Sequence, residues 1–176
     1  MPQLNPRSEM PYALKLPSPR RLVERATARL LRMAEIRTEA FIAAPPALVW
    51  HLLTDAREHQ GWNPNTDRVD GEFVEGARLR LVMKTPAGGR ITFRPRILTA
   101  RPGQELRWLG RLGLPGLFDG EHRFTLHPEE GGTRLVQGER FRGVLLWVMN
   151  VRQFEPGFAA ANAGLKRRAE ALARNP

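Results

Sequence analysis

Between Ala77 and Lys84 the chain alternates: Ala77, Leu79, Leu81 and Met83 fall on one side of an extended strand, with Arg78, Arg80 and Lys84 on the other. Successive strand side chains point to opposite faces, so this pattern predicts a sheet with one covered face and one in water. Residues 90–98 repeat it, with Ile91, Phe93, Pro95 and Ile97 opposed to Thr92, Arg94 and Arg96. Alternation predicts further strands at 36–43, 67–71, 104–110, 118–127 and 132–141. The turns between them, Glu75-Gly76, Ala87-Gly88-Gly89, Arg101-Pro102-Gly103 and Glu129-Glu130-Gly131-Gly132, are too short for a parallel crossover. The sheet is therefore expected to be antiparallel.

Helical spacing follows the first strand. Past Ala44-Pro45-Pro46, residues 47–54 carry Leu48, Val49, Leu52 and Leu53, and a second short helix is expected over about residues 56–61, before Trp62-Asn63-Pro64. From Val144 to about Ala173, Trp147, Val151, Phe154, Phe158, Leu165, Ala169 and Leu172 recur near helical spacing, and this segment is expected to cover the inner sheet face. A kink or break is expected at Pro156-Gly157. Residues 1–33 form a basic tail with a candidate amphipathic helix from Ser18-Pro19 to Met33, striped by Leu22, Val23, Ala26 and Leu30. Three readings of it stay open: an arm that docks on the domain or lies on an acidic membrane, a targeting segment, or an extension dispensable to a domain spanning 34–176.

Composition narrows the chemistry. A chain of 176 residues fits one domain, and the absence of cysteine excludes disulfides, thiol nucleophiles and thiolate metal sites. His51, His59, His122 and His127 have no metal-site spacing, so no metal is expected; His51 and His59 read as surface helix residues. No apolar run is long enough to span a membrane and no apolar leader core opens the chain, which makes a cytoplasmic location the expectation. The net charge of +10 comes mainly from arginines scattered along the chain, half of the excess within residues 1–33. A solvated sheet face accounts for much of it. Specific nucleic-acid binding is not expected, and peripheral contact with acidic membrane is the most the charge suggests.

The element order carries recognisable stretches: Phe41-Ile42-Ala43-Ala44-Pro45-Pro46-Ala47-Leu48-Val49-Trp50, Trp62-Asn63-Pro64, Glu105-Leu106-Arg107-Trp108, and Phe118-Asp119-Gly120-Glu121-His122-Arg123-Phe124. Gly138-Glu139-Arg140-Phe141-Arg142-Gly143 and Ala161-Asn162-Ala163-Gly164-Leu165-Lys166 complete them. Together, over about residues 36–172, these resemble the START-like superfamily, also called Bet v 1-like, SRPBCC or polyketide cyclase/dehydrase-like. The resemblance implies an α+β helix-grip fold: a curved antiparallel sheet wrapped around a long C-terminal helix, two short helices after the first strand, and an internal cavity. It implies a small hydrophobic ligand and no cofactor. That superfamily includes carriers, hormone receptors and cyclases, so it fixes shape more firmly than function.

The last hairpin sharpens the candidates. A turn centred between residues 129 and 130 would oppose Phe124 to Leu135, Phe118 to Phe141, Leu126 to Thr133, His122 to Gln137 and Gly120 to Glu139. His122, Gln137 and Glu139 then point inward with the phenylalanines. Buried polar groups need partners, so the three either satisfy one another or hold a ligand oxygen at one end of the cavity. Gly120, costly inside a strand, reads as volume left for a pocket. Trp108, Phe118, Phe124, Phe158 and Asn162 are further candidate ligand contacts, while Lys166 is expected to lay its stem along the surface. The loop from Gly110 to Leu117 is apolar yet glycine-rich, and reads as a gate or membrane-touching lip, or as a flap folded over the core. Binding or transport of a hydrophobic ligand is the leading functional reading. The alternative is a cyclase or dehydratase using His122 and Glu139 as acid and base on a ketone or enol, with no serine or cysteine nucleophile and no metal. A third reading, an interaction module meeting acidic lipid or nucleic acid through its arginine face, lacks stacking aromatics on that face.

Overall fold

In the computed structural model the chain divides into two units, Met1–Leu30 and Leu31–Pro176. The structure describes residues 32–85 and 88–175, so the N-terminal tail and most of its expected helix lie outside the described residues. Arg32 and Met33, expected to end that helix, instead open the first strand, β1 (Arg32–Ile42). Arg32 is held there by pairing with Gly143 and by donating to Leu146 O at 3.2 Å.

Two short helices follow, α1 (Pro46–Thr54) and α2 (His59–Trp62), then β2 (Thr66–Asp70), β3 (Arg80–Lys84), β4 (Arg90–Phe93), β5 (Arg96–Arg101), β6 (Glu105–Arg111), β7 (Asp119–Glu129) and β8 (Gly132–Gly143). The run expected as one strand over 90–98 is two, β4 and β5. Pro95 has no amide hydrogen for a ladder, and the chain changes sheet there. Five antiparallel strands lie in the order β1-β8-β7-β6-β5, and β2-β3-β4 form a second sheet. The segment leading into β3 joins them: Leu79 N donates to Pro95 O, Ile97 N to Ala77 O and Gly76 N to Ile97 O. The predicted alternation holds, with Leu79, Leu81, Pro95 and Ile97 buried and Arg78, Arg80, Arg94 and Arg96 exposed.

After β8 come two single 3-10 turns (Val144–Trp147 and Val151–Phe154) and the long helix α3 (Glu155–Arg174). Of the kink or break expected at Pro156-Gly157, the structure has a break: 3-10 turns precede this point and the α-helix begins at Glu155. Pro156 sits in the first turn of α3, where its missing amide hydrogen costs nothing and its fixed φ suits a helix start. Trp147, expected on the covered face, is 62% exposed at the first 3-10 turn, beneath the Arg32 guanidinium. The remaining apolar stripe does bury Phe158, Leu165 and Ala169 against the sheet, which grips α3 as predicted. No helix among the described residues is long and apolar enough to cross a membrane.

Close approach of two elements explains one glycine of α3. A Cβ on Gly164 would enter the van der Waals envelope of the Trp62 carbonyl oxygen. An open helix position gains about 1 kcal/mol when glycine becomes alanine. Here the sign is expected to reverse, with Gly164→Ala losing about 1–3 kcal/mol in urea denaturation. A gain in stability would contradict the α2–α3 packing.

Candidate functional site

The inner face of the five-stranded sheet is built in rows of cross-strand partners. One row runs Ile97, Trp108, His122, Glu139, Ile36, and the next runs Leu106, Phe124, Gln137, Thr38. Four adjacent polar side chains thus meet at the centre of an otherwise apolar surface. The pairing corrects the expected register. Glu130 and Gly131 form the turn, Gly131 taking the positive φ of 76° that glycine tolerates, and His122 lies opposite Glu139 rather than Gln137. Phe124 opposes Gln137, Leu126 opposes Leu135 and Gly120 opposes Phe141. The slip is two residues, which preserves the face of every side chain. Phe118 still meets Phe141, at 5.5 Å between centroids, from just before β7.

His122 Nδ1 lies 3.0 Å from Glu139 Oε2, and Nε2 lies 3.1 Å from the Gln137 amide nitrogen. A carboxylate only accepts and an amide NH2 only donates, so Nδ1 carries a hydrogen toward Glu139 while Nε2 accepts from Gln137. Rings enclose the imidazole: Trp108 stacks at 4.8 Å with planes 7° apart, Phe124 lies at 4.8 Å and Phe158 of α3 at 5.1 Å. The side chains of His122 and Glu139 are 12% and 20% exposed, so solvent still reaches the pair from one side.

Gly120 has another explanation than an open pocket. A Cβ there would collide with Glu139 Oε1, so the space belongs to the carboxylate that holds His122. Asn162, also on α3, is buried and donates through Nδ2 to Thr38 Oγ1 at 2.9 Å. All nine candidates therefore contact or adjoin this inner surface: Trp108, Gly120, His122, Phe124, Gln137, Glu139, Phe158 and Asn162 around its centre, Phe118 at its margin. Lys166 donates to Phe41 O at 2.7 Å. The Gly110–Leu117 loop is pinned by Asp119, whose Oδ2 accepts from Gly116 N, yet leaves Leu114 exposed. Among the described residues no three His, Asp or Glu side chains converge as a metal would require.

Three residues of this region escaped the sequence reading. Thr38 is on the inward series Ile36, Thr38, Ala40, Ile42, and the alternation of β1 was the signal for it. Phe73, in the irregular segment after β2, gave none. It contacts Trp108 edge-on at 6.4 Å and lines an open groove of about 480 Å³ between the α1–α2 connection and the β2–β3 connection. The third is His59, expected on the surface but buried at 3% exposure, stacked on Phe73 and donating from Nε2 to Leu53 O at 2.8 Å. Helical spacing in a four-residue helix is too short to distinguish its faces.

The sequence profile of the polyketide cyclase / dehydrase and lipid transport family matches residues 33–170. The chain belongs to this family. Among solved structures, protein CV1439 from Chromobacterium violaceum is 22% identical, with a TM-score of 0.66 over 77% of this chain and 96% of its own. The Zhui aromatase/cyclase from Streptomyces sp. R1128 is 19% identical, with a TM-score of 0.66 over 82% and 98%. The di-domain aromatase/cyclase BexL of the BE-7585A biosynthetic pathway is 19% identical, with a TM-score of 0.66 over 78% of this chain and 50% of its own. At these identities the likeness is one of fold. No curated protein matches the chain by sequence.

Burial lowers the pKa of His59 to about 4 against the opposing pull of its Leu53 hydrogen bond and the Asp55 charge, with His122 adding to the lowering. Above pH 6.5 the imidazole is neutral both folded and unfolded, and its environment costs nothing. As pH falls from 6.5 toward 4 the unfolded chain binds the proton first, so about 3 kcal/mol of stability is lost across that window. Urea denaturation at stepped pH measures the slope, and His59→Phe is expected to flatten it. Substitution at Gly120 reads out the other end of the aromatic cluster. Gly120→Leu is expected to displace the Glu139 carboxylate and destabilise by about 1–3 kcal/mol, whereas a stability gain would restore the open-pocket reading.

Proposed function

We propose that the chain is an acid–base enzyme of the cyclase or dehydratase type, acting at His122 on a small hydrophobic carbonyl compound held inside the sheet. The observation that carries this reading is the imidazole fixed between a carboxylate and an amide at the centre of an aromatic-lined interior. Membership of the polyketide cyclase / dehydrase family, and a fold shared with two proteins named as aromatase/cyclases, support the same class.

The chemistry follows from the roles of the two nitrogens. Once a ligand displaces the Gln137 amide, the Nε2 lone pair is available to take a proton from the carbon beside a carbonyl. The electrons of that C–H bond move onto the carbonyl oxygen as an enolate. Glu139 accepts the Nδ1 hydrogen bond throughout and stabilises the imidazolium that forms, as an orienting carboxylate does in other acid–base pairs. The imidazolium then returns its proton to a β-hydroxyl, which leaves as water as the enolate re-forms the carbonyl and a C=C bond. No redox partner is needed, because only H and OH are lost. Exclusion of water by Trp108, Phe124 and Phe158 strengthens each of these interactions.

A specific observation also favours simple binding: both His122 nitrogens are already engaged, as in a structural pin. The two readings separate on one experiment. Exchange of the α-hydrogens of 2-tetralone in D2O, followed by NMR, is expected to run faster with the protein than in buffer. His122→Asn is expected to slow it by about 100-fold or more, while leaving 2-tetralone affinity within about threefold. Affinity without any exchange above buffer would make the chain a carrier for a small hydrophobic ligand rather than an enzyme.

A further inference from the structure

Two buried oxygens near the His122 pair lack donors. Gln137 is 3% exposed and Asn162 is 4% exposed, and neither Gln137 Oε1 nor Asn162 Oδ1 has a hydrogen-bond partner. Burying an amide carbonyl unpaired costs free energy comparable to a lost hydrogen bond, and most buried polar atoms are paired for that reason. The two residues share one locality. Gln137 is the cross-strand partner of Thr38, and the Thr38 hydroxyl is the group to which Asn162 donates. Each amide spends one N–H, Gln137 on His122 and Asn162 on Thr38, and each keeps a second N–H beside its free oxygen.

We infer that Gln137 and Asn162 form a subsite that binds the hydroxyl of a ring-sized phenol or enol. A hydroxyl both donates and accepts, which matches a free carbonyl oxygen lying beside a free N–H. An ammonium group would fit poorly, because the neighbouring carboxylate, Glu139, is committed to His122 and a desolvated cation needs a counter-charge. A bare ketone or an ether accepts without donating, so it would leave both amide oxygens unsatisfied. The neighbouring side chains are aromatic: Phe158 lies one helical turn from Asn162, and Phe124 is the cross-strand partner of Gln137. The inference rests on the reading that ligands occupy this interior, and it names the class of ligand.

The test uses the whole chain and a matched pair of probes, 2-naphthol and 2-methoxynaphthalene, which share ring and oxygen but differ in the ability to donate. Calorimetry is expected to show 2-naphthol bound about tenfold or more tightly, with Gln137→Leu and Asn162→Leu each bringing the two probes to near parity. Infrared difference spectra of protein carrying 13C-labelled glutamine and asparagine side-chain carbonyls need no substitution, and are expected to shift to lower frequency with 2-naphthol only. Equal affinity for both probes, a preference that survives both leucine variants, or binding by neither probe would overturn the subsite; in the first two cases trapped water satisfies the carbonyls. None of these readouts involves turnover. Loss of tetralone exchange with the naphthol preference intact would reject the catalytic reading and keep the subsite, and the converse would reject the subsite alone.

Discussion

A carboxylate that folds onto the covered face of a sheet must meet a donor, and Glu139 meets His122 at 3.0 Å. Much of the inner surface is arranged around that contact. Glycine at 120 is required because the carboxylate lies over it, and the hairpin register sets His122 and Glu139 directly opposite each other. Phe158 can lie over the imidazole because α3 starts where Pro156 permits. Removing one partner would leave the other polar group buried and unpaired, a larger penalty than the modest net gain of the bond itself.

The two interior histidines show how environment divides their roles. His59 is set among Phe73, Trp62 and a backbone carbonyl, and burial dominates, holding it in the neutral form. His122 has a carboxylate on one nitrogen and an amide on the other, and its side chain is partly exposed. Phe73 and Trp108 connect the two in one run of ring contacts. A histidine packed to neutrality stabilises the core at neutral pH, whereas one hydrogen-bonded through both nitrogens ties two strands together.

The outer face follows different physics. Its arginines sit in water beside carboxylates, as in Asp70 with Arg68 and Arg80. Exposed pairs of this kind contribute little each, and their main effect is to keep a strongly basic surface hydrated. One face of the sheet is thus solvated and charged while the other is aromatic and covered by α3.

Period-2 alternation and a long apolar stripe were enough for the sequence to determine an antiparallel sheet, the face of its strand residues and the helix that covers it, because those patterns are local and repeat many times. The inward set of His122, Gln137 and Glu139 was legible for the same reason. Which of them touch was not, since a two-residue slip leaves every face unchanged and only the geometry of Glu130-Gly131 decides between registers. Three-dimensional packing alone could reveal that Glu139 fills the space over Gly120, that Pro156 begins a helix instead of kinking one, and that His59 is buried. Each of those depends on contacts or boundaries between elements: β8 over β7, the 3-10 turns before α3, and Phe73 beside α2. Pattern specifies which side a residue faces, and the partners it finds there are set by tertiary contacts that no local period encodes.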